Sequence, residues 1–201
     1  MECVRFAVAG CGFIGALHAR VIQSIAGAKV TATLDVEAGK AEKLANVYGC
    51  AWYTDAEDML ADPNVDAVAV CLPSGLHQEL TIQAAKAGKH VICEKPMDIH
   101  LDSARAMIAA CRESQVRLGI IMQHRFDEPV QLLKKAIREG WMGRLLWGAS
   151  RTIWYRDDAY YSNPWRGTWK YDGGGALMNQ SIHYIDLLLS IMGDVKSVSA
   201  K

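Results

Sequence analysis

No excess of charge of either sign marks this sequence: 22 Lys and Arg stand against 22 Asp and Glu. That balance offers no footing for a nucleic acid or a membrane surface. No apolar run approaches the roughly 20 residues that cross a bilayer. The chain enters an apolar strand pattern almost at once, so no signal peptide and a cytoplasmic location are expected. Cys-x-x-Cys is absent. The six cysteines, at positions 3, 11, 50, 71, 93 and 111, are scattered. They read as reduced thiols rather than as a disulfide framework or a zinc site, and no metal is expected. Internal repeats and low-complexity stretches are also missing. What remains is the composition of a globular protein, 51% hydrophobic.

The N-terminal segment carries the first positive signal. Val4 to Ala9 is a short apolar run, followed by Gly10, Gly12 and Gly15 in G-x-G-x-x-G spacing. Ile14, Leu17, Val21 and Ile25 then recur at helical spacing. The glycines therefore fall on a strand-to-helix turn. There Gly10 permits the tight turn, Gly12 lets a pyrophosphate approach the backbone, and Gly15 lets helix and strand pack closely. Phe13 and Ile14 open the helix, whose N-terminus offers free N–H groups to phosphate. Asp35 lies twenty residues after Gly15, at the end of the next strand pattern, where an acid accepts ribose hydroxyls and repels a 2′-phosphate. No Arg or Lys follows before Lys40. The site reads as one for NAD in preference to NADP. Cys11, inside the turn, reads as a space filler.

Strand and helix patterns then alternate. Strands are expected over 4–9, 29–35, 51–53, 66–71, 89–93 and 117–121. Helices are expected over 13–25, 37–48, 55–61, 76–87 and 101–114. Thr54 with Glu57 looks like a capping box, and Gly88 sits where a helix C-terminus favours glycine. Alternation with short connections argues an α/β fold on a doubly wound parallel sheet. This unit is assigned to 1–123. The character changes from 124 onward: a helix over 128–139 ending at Gly140, an aromatic-biased strand over 144–155, a Trp-, Tyr- and Arg-rich loop over 156–172, a helix over 174–191 and a strand over 195–200. Two strands make a poor independent domain. Residues 124–201 therefore read as the start of a larger, second α/β domain.

Two further segments carry chemistry. Glu94-Lys95-Pro96 follows a predicted strand, whose carboxyl end faces the ligand crevice of such sheets. A Lys there can stabilise an alkoxide; Pro96 constrains the turn and its peptide bond is a candidate for cis. Alone, the tripeptide is nonspecific. In the helix 174–191, Asn179, His183, Asp186 and Ser190 form one polar stripe on an otherwise apolar helix. A buried polar stripe needs partners or a wet pocket. Either His183 is a core histidine paired with Asp186, or it is a general base, with Asn179 touching substrate or orienting the imidazole.

Taken together, G-x-G-x-x-G, E-K-P and a glycine run leading into a helix with His resemble the Gfo/Idh/MocA oxidoreductases. The resemblance covers the whole chain. It takes in Leu72-Pro73-Ser74-Gly75-Leu76-His77, similar to the family's cofactor-contacting loop, and Gln123-His124-Arg125-Phe126 at the crossover between domains. The resemblance implies an NAD(P)-binding Rossmann domain, an α/β domain with an open sheet used in oligomerisation, and Lys95 with His183 as the catalytic pair. It implies cofactor contacts from Gly10, Gly12, Phe13, Ile14, Gly15, Asp35, Leu72, Pro73, His77, Glu94, Lys95 and Pro96. For substrate it points to Lys95, Arg125, Asn179 and His183, to which the aromatic loop adds Trp165 and Arg166, an aromatic face and a planar cation suited to a sugar and its acidic groups. Many members carry Asp where this chain has Asn179, and members run well past its last residue. The implied activity is hydride transfer between NAD and a hydroxyl-bearing carbon of a sugar, polyol or nucleotide-linked sugar, in a homo-oligomer. A non-catalytic NAD- or sugar-binding regulator, or an inactive fragment that binds only NAD, stands as the alternative.

Overall fold

The computed structural model describes residues 3–200. Six parallel strands form one sheet: β1 (Val4–Ala9), β2 (Ala28–Leu34), β3 (Ala51–Tyr53), β4 (Ala67–Val70), β5 (His90–Cys93) and β6 (Leu118–Ile120), in spatial order β3-β2-β1-β4-β5-β6. The order reverses between β1 and β4, which places a crevice at their carboxyl ends. Helices α1 (Phe13–Ser24), α2 (Ala38–Tyr48), α3 (Ala56–Ala61), α4 (His77–Lys86) and α5 (Leu101–Glu113) connect the strands.

Alternation along each strand builds two cores. Val8, Val30 and Ala69 face Ala19 and Ile22 of α1 and Leu44 of α2. Ala7, Ala9, Ala32, Val68, Val70 and Val91 face Met59 and Leu60 of α3, Leu80 and Ala84 of α4 and Met107 of α5. A sheet covered on both faces explains why its central strands read as unbroken apolar runs. The α4 terminus is a complete Schellman motif: Gly88 N–H donates to Ala85 O and Lys89 N–H to Ala84 O, with Gly88 at φ +72°. One start signal differs from expectation. The cap of α3 is Asp55, whose carboxylate accepts from the N–H groups of Glu57 and Asp58, and not Thr54. A carboxylate adds charge stabilisation at the positive helix end that a hydroxyl lacks.

After a 3-10 turn at Gln123–Phe126 come α6 (Glu128–Arg138), the single turn α7 (Asp158–Tyr161), α8 (Ala176–Asn179) and α9 (Ile182–Met192). Three expectations are corrected here. The segments 144–155 and 195–200 form no strand, because no other described residues pair with them; an extended segment becomes a strand only through a neighbour's N–H and C=O groups. The helix expected over 174–191 is broken at Gln180–Ser181. There the Ser181 N–H reaches back to Ala176 O in a wide turn, and α9 starts afresh. Trp147, Ile153 and Tyr155 stand exposed. No helix among the described residues is long and apolar enough to cross a membrane.

Candidate active site

The glycine turn is built as close approach requires. A Cβ on Gly15 would lie 1.8 Å from Gly10 O, and one on Gly10, at φ +90°, would lie 2.6 Å from Cys71 O. A Cβ on Gly12 would meet nothing within 4 Å. Gly12 is the N-cap of α1, no side chain caps the helix, and its first turn holds no acid. The N-terminal amides of α1, at Phe13 and Ile14, thus stand beside the open space at Gly12 and the β1–β4 switch point, a cradle for a diphosphate. Asp35 closes β2. One oxygen accepts the Cys11 N–H at 2.8 Å and the other the Glu37 N–H at 3.0 Å. A carboxylate has about four acceptor positions, so two remain for ribose hydroxyls. Lys40 leans on Glu37 instead of the turn. These residues fit a dinucleotide with a free 2′-hydroxyl. Cys11 fills the turn, its thiol pushed up to about 12 by burial and by Asp35.

Across the switch point, Leu72 and Pro73 leave β4 directly against this turn; the Leu72 Cδ2 would stand 3.2 Å from a Cβ on Gly10. His77 behaves otherwise than expected. Its ring is buried, Nε2 lies 2.9 Å from Leu72 O and Nδ1 3.0 Å from Pro96 O. Both nitrogens face carbonyls of the two crevice loops, so the side chain braces those loops and has no atom left for a cofactor.

Lys95 follows β5 through a cis Lys95–Pro96 peptide. Its Nζ donates to Asn179 O at 2.9 Å, a contact across 84 residues. Burial holds its ammonium below the usual lysine range; Glu94 and Asp172 pull it up, and Arg166 pushes it further down. His183, on the first turn of α9, is buried. Its Nδ1 has no partner among the described residues, and its pKa falls to about 4, through burial first, then Lys95 and His124. At neutral pH the imidazole is therefore uncharged and able to accept a proton. His124 packs edge-to-face on it, centroids 4.8 Å apart, and lies 2.6 Å from Asp127 through Nδ1.

The Asn179 side chain does not orient His183: its Nδ2 donates to Asp172 and its Oδ1 accepts from Gln180 Nε2. The Arg125 guanidinium forms a two-bond pair with Asp186, at 2.6 and 2.5 Å, which ties it to α9. Asp186 makes no hydrogen bond to His183, which feels only its charge. Trp165 and Arg166 pack on each other, and the Arg166 charge is felt at Lys95. The Arg166 guanidinium lies 4.0 Å above the Trp165 ring and 4.9 Å from that of Tyr160. Sequence reasoning missed Asp172, His18, Tyr160 and Gln180. Asp172 is buried, accepts from Asn179 and, at 2.8 Å, from the Gly167 N–H. It returns to the site the carboxylate that Asn179 does not provide. The Asp immediately before Gly173-Gly174-Gly175 was the available signal.

Residues 4–122 match the family model described as oxidoreductase family, NAD-binding Rossmann fold. The chain belongs to the Gfo/Idh/MocA family. Residues 130–201 match the family's C-terminal domain model. The chain is 33% identical to an inositol 2-dehydrogenase of Rhizobium meliloti over 192 residues, 95% of this chain and 56% of that protein. It is 34% identical to a myo-inositol 2-dehydrogenase of Thermotoga maritima, with 95% and 55% covered. Among solved structures, the WlbA dehydrogenase of Bordetella pertussis, in complex with NADH and UDP-GlcNAcA, superposes with a TM-score of 0.91 at 37% identity, over 96% of this chain and 58% of that one. The chain thus spans little more than half the length of the relatives it matches.

Proposed function

We propose that the protein is an NAD-dependent oxidoreductase that moves hydride between the nicotinamide and a hydroxyl-bearing carbon of a sugar, polyol or nucleotide-linked sugar. The observation that carries this reading is the meeting of Lys95 and His183 at the crevice. A half-buried ammonium and a neutral imidazole with no protein hydrogen bond stand close enough for one charge to depress the other's proton affinity. His183 accepts the proton of the substrate hydroxyl. Lys95 donates a hydrogen bond to the same oxygen as it becomes an alkoxide and then a carbonyl. A nicotinamide held beside Glu94, Lys95 and Pro96 would supply the hydride acceptor. Loss of one proton and one hydride oxidises the alcohol to a carbonyl, and the reverse steps reduce it.

Gly10, Gly12 and Gly15 would seat the diphosphate, with the amides of Phe13 and Ile14 and the loop at Leu72 and Pro73. Asp35 would take the ribose and favour NAD over NADP. Glu94, Lys95 and Pro96 would border the nicotinamide end. Trp165 and Arg166 would stack on the sugar and receive an acidic group. The inositol dehydrogenases and the WlbA complex support this substrate range. We place the domain boundary near 123. A cytoplasmic homo-oligomer fits the six free thiols and the exposed apolar side chains of 141–155.

The test is a screen at 340 nm with NAD and a panel of polyols, free sugars and nucleotide-linked sugars, on the chain and on Lys95→Ala and His183→Ala. Turnover that both substitutions abolish, with NAD binding intact, is the expected result. NAD binding without turnover on any compound would favour a regulator or a chain that binds cofactor only. A folded chain that binds no NAD would overturn the proposal.

A further inference from the structure

His18 lies in the second turn of α1, the helix whose N-terminus forms the glycine cradle. Its Nε2 meets Glu94 Oε1 at 2.8 Å, across 76 residues. The two side chains are only 12% and 15% exposed, so this is a pair closed off from water rather than a surface contact. The second Glu94 oxygen accepts the Lys95 N–H at 3.2 Å. One carboxylate is therefore held on one side by α1 and on the other holds the backbone of Lys95. Burial opposes ionisation of Glu94, but the interactions with His18, followed by those with the Lys95 N–H and ammonium, together outweigh it and keep the carboxyl below its ordinary value. An ionised carboxylate only accepts, so the His18 Nε2 carries the hydrogen.

We propose that His18 is a positioning residue: by gripping Glu94 it fixes where the Lys95 ammonium stands in the crevice. The contacts run in one line, His18 to Glu94, Glu94 to the Lys95 backbone, and Lys95 Nζ to Asn179 O. The first link lies on the cofactor helix and the last just before α9. A dinucleotide seated on α1 and a substrate oxygen at Lys95 would thus share one rigid reference. Glu94 also stands beside Lys95 as its first counter-charge. Released by loss of His18, the carboxylate turns to water and that counter-charge weakens. The inference rests on the proposed role of Lys95, but its first readout does not need turnover.

The experiment follows the pH midpoint at which Lys95 is acylated by a trace of labelled acetic anhydride, read on its own peptide. Lys95 also faces Arg166 and Asp172 from the preceding loop and His183 from α9, and all three stay unchanged in the variants. His18→Leu and Glu94→Gln are each expected to lower the midpoint by about 0.5–1 pH unit, the size of a lost neighbouring carboxylate. His18→Leu added to Glu94→Gln is expected to give no further shift, since the two act through one contact. His18→Gln, whose amide nitrogen reaches the place of Nε2, is expected to restore the midpoint; His18→Asn, which stops short, is not. With a substrate in hand, His18→Leu lowers kcat about tenfold with a smaller change in the KM for NAD. A Lys95 midpoint indifferent to His18→Leu, or shifts that add in the double variant, would overturn the proposal. Intact labelling shifts in a chain without turnover would count against the dehydrogenase reading alone.

Discussion

His183 supports a prediction that can be followed from ring to stability curve. An unburied imidazole titrates near 6.5, whereas this one titrates at about 4. The difference of about 2.5 units corresponds to roughly 3 kcal/mol between the protonation states. Because the ring borders the crevice, solvent screens part of that, leaving about 2 kcal/mol. The unfolded chain takes up this proton below pH 6.5 and the folded chain only below about 4. Between those values the unfolded state binds more protons, so the stability contribution is full above 6.5 and is lost as pH falls towards 4. The perturbation is His183→Gln, which removes the titration. Urea unfolding of both proteins at pH 7.5 and 4.5 should show the wild type losing about 2 kcal/mol more than the variant. The Cε1 proton of His183 should report a midpoint near 4, and Lys95→Met should raise it by removing the adjacent cation. A midpoint above 6, or unfolding free energies that stay parallel, would refute burial beside Lys95 as the controlling environment.

Two other outcomes test the cofactor turn. Gly15→Ala forces a methyl to 1.8 Å from Gly10 O and is expected to cost about 1–3 kcal/mol in urea unfolding and to abolish NAD binding in calorimetry. Gly12→Ala points its methyl into open space, so stability should hold within about 1 kcal/mol while NAD affinity falls. At pH 8 the exposed Cys3 should react promptly with a disulfide reagent and Cys11 should lag far behind, since its thiol is held to about 12; equal rates on peptide mapping would contradict that environment.

The parallel-sheet half was legible because each of its elements is announced locally. β1 and β3 occupy the expected 4–9 and 51–53, and the other strands and helices of this half differ from expectation by at most one residue at an end, within ordinary fraying. The glycine turn and Asp35 could be read in the same local way, from spacing along a strand, a turn and a helix, whereas Lys95 and His183, on separate elements, were paired through the family resemblance. What failed depended on distant partners. A strand over 144–155 needs a neighbour that local pattern cannot supply. His77 and Arg125 were assigned through the family resemblance and Asn179 through its polar stripe, yet Asp172, Asp186 and the Leu72 and Pro96 carbonyls bond them in the fold. Asp172 and His18 were missed for the converse reason. Each looks ordinary in its own segment and gains its role from a residue elsewhere, Asp172 through Asn179 and His18 through Glu94.

The bond from Lys95 to Asn179 O has a geometric consequence. An ammonium has three N–H arms disposed as a tripod. With one arm pinned to a main-chain carbonyl, the other two can sweep only around that fixed axis. Anything Lys95 grips must lie on the ring they trace, on the side away from α8. A flat guanidinium could not reproduce that ring. Lys95→Arg would therefore keep the charge while moving the only directions in which it can be used.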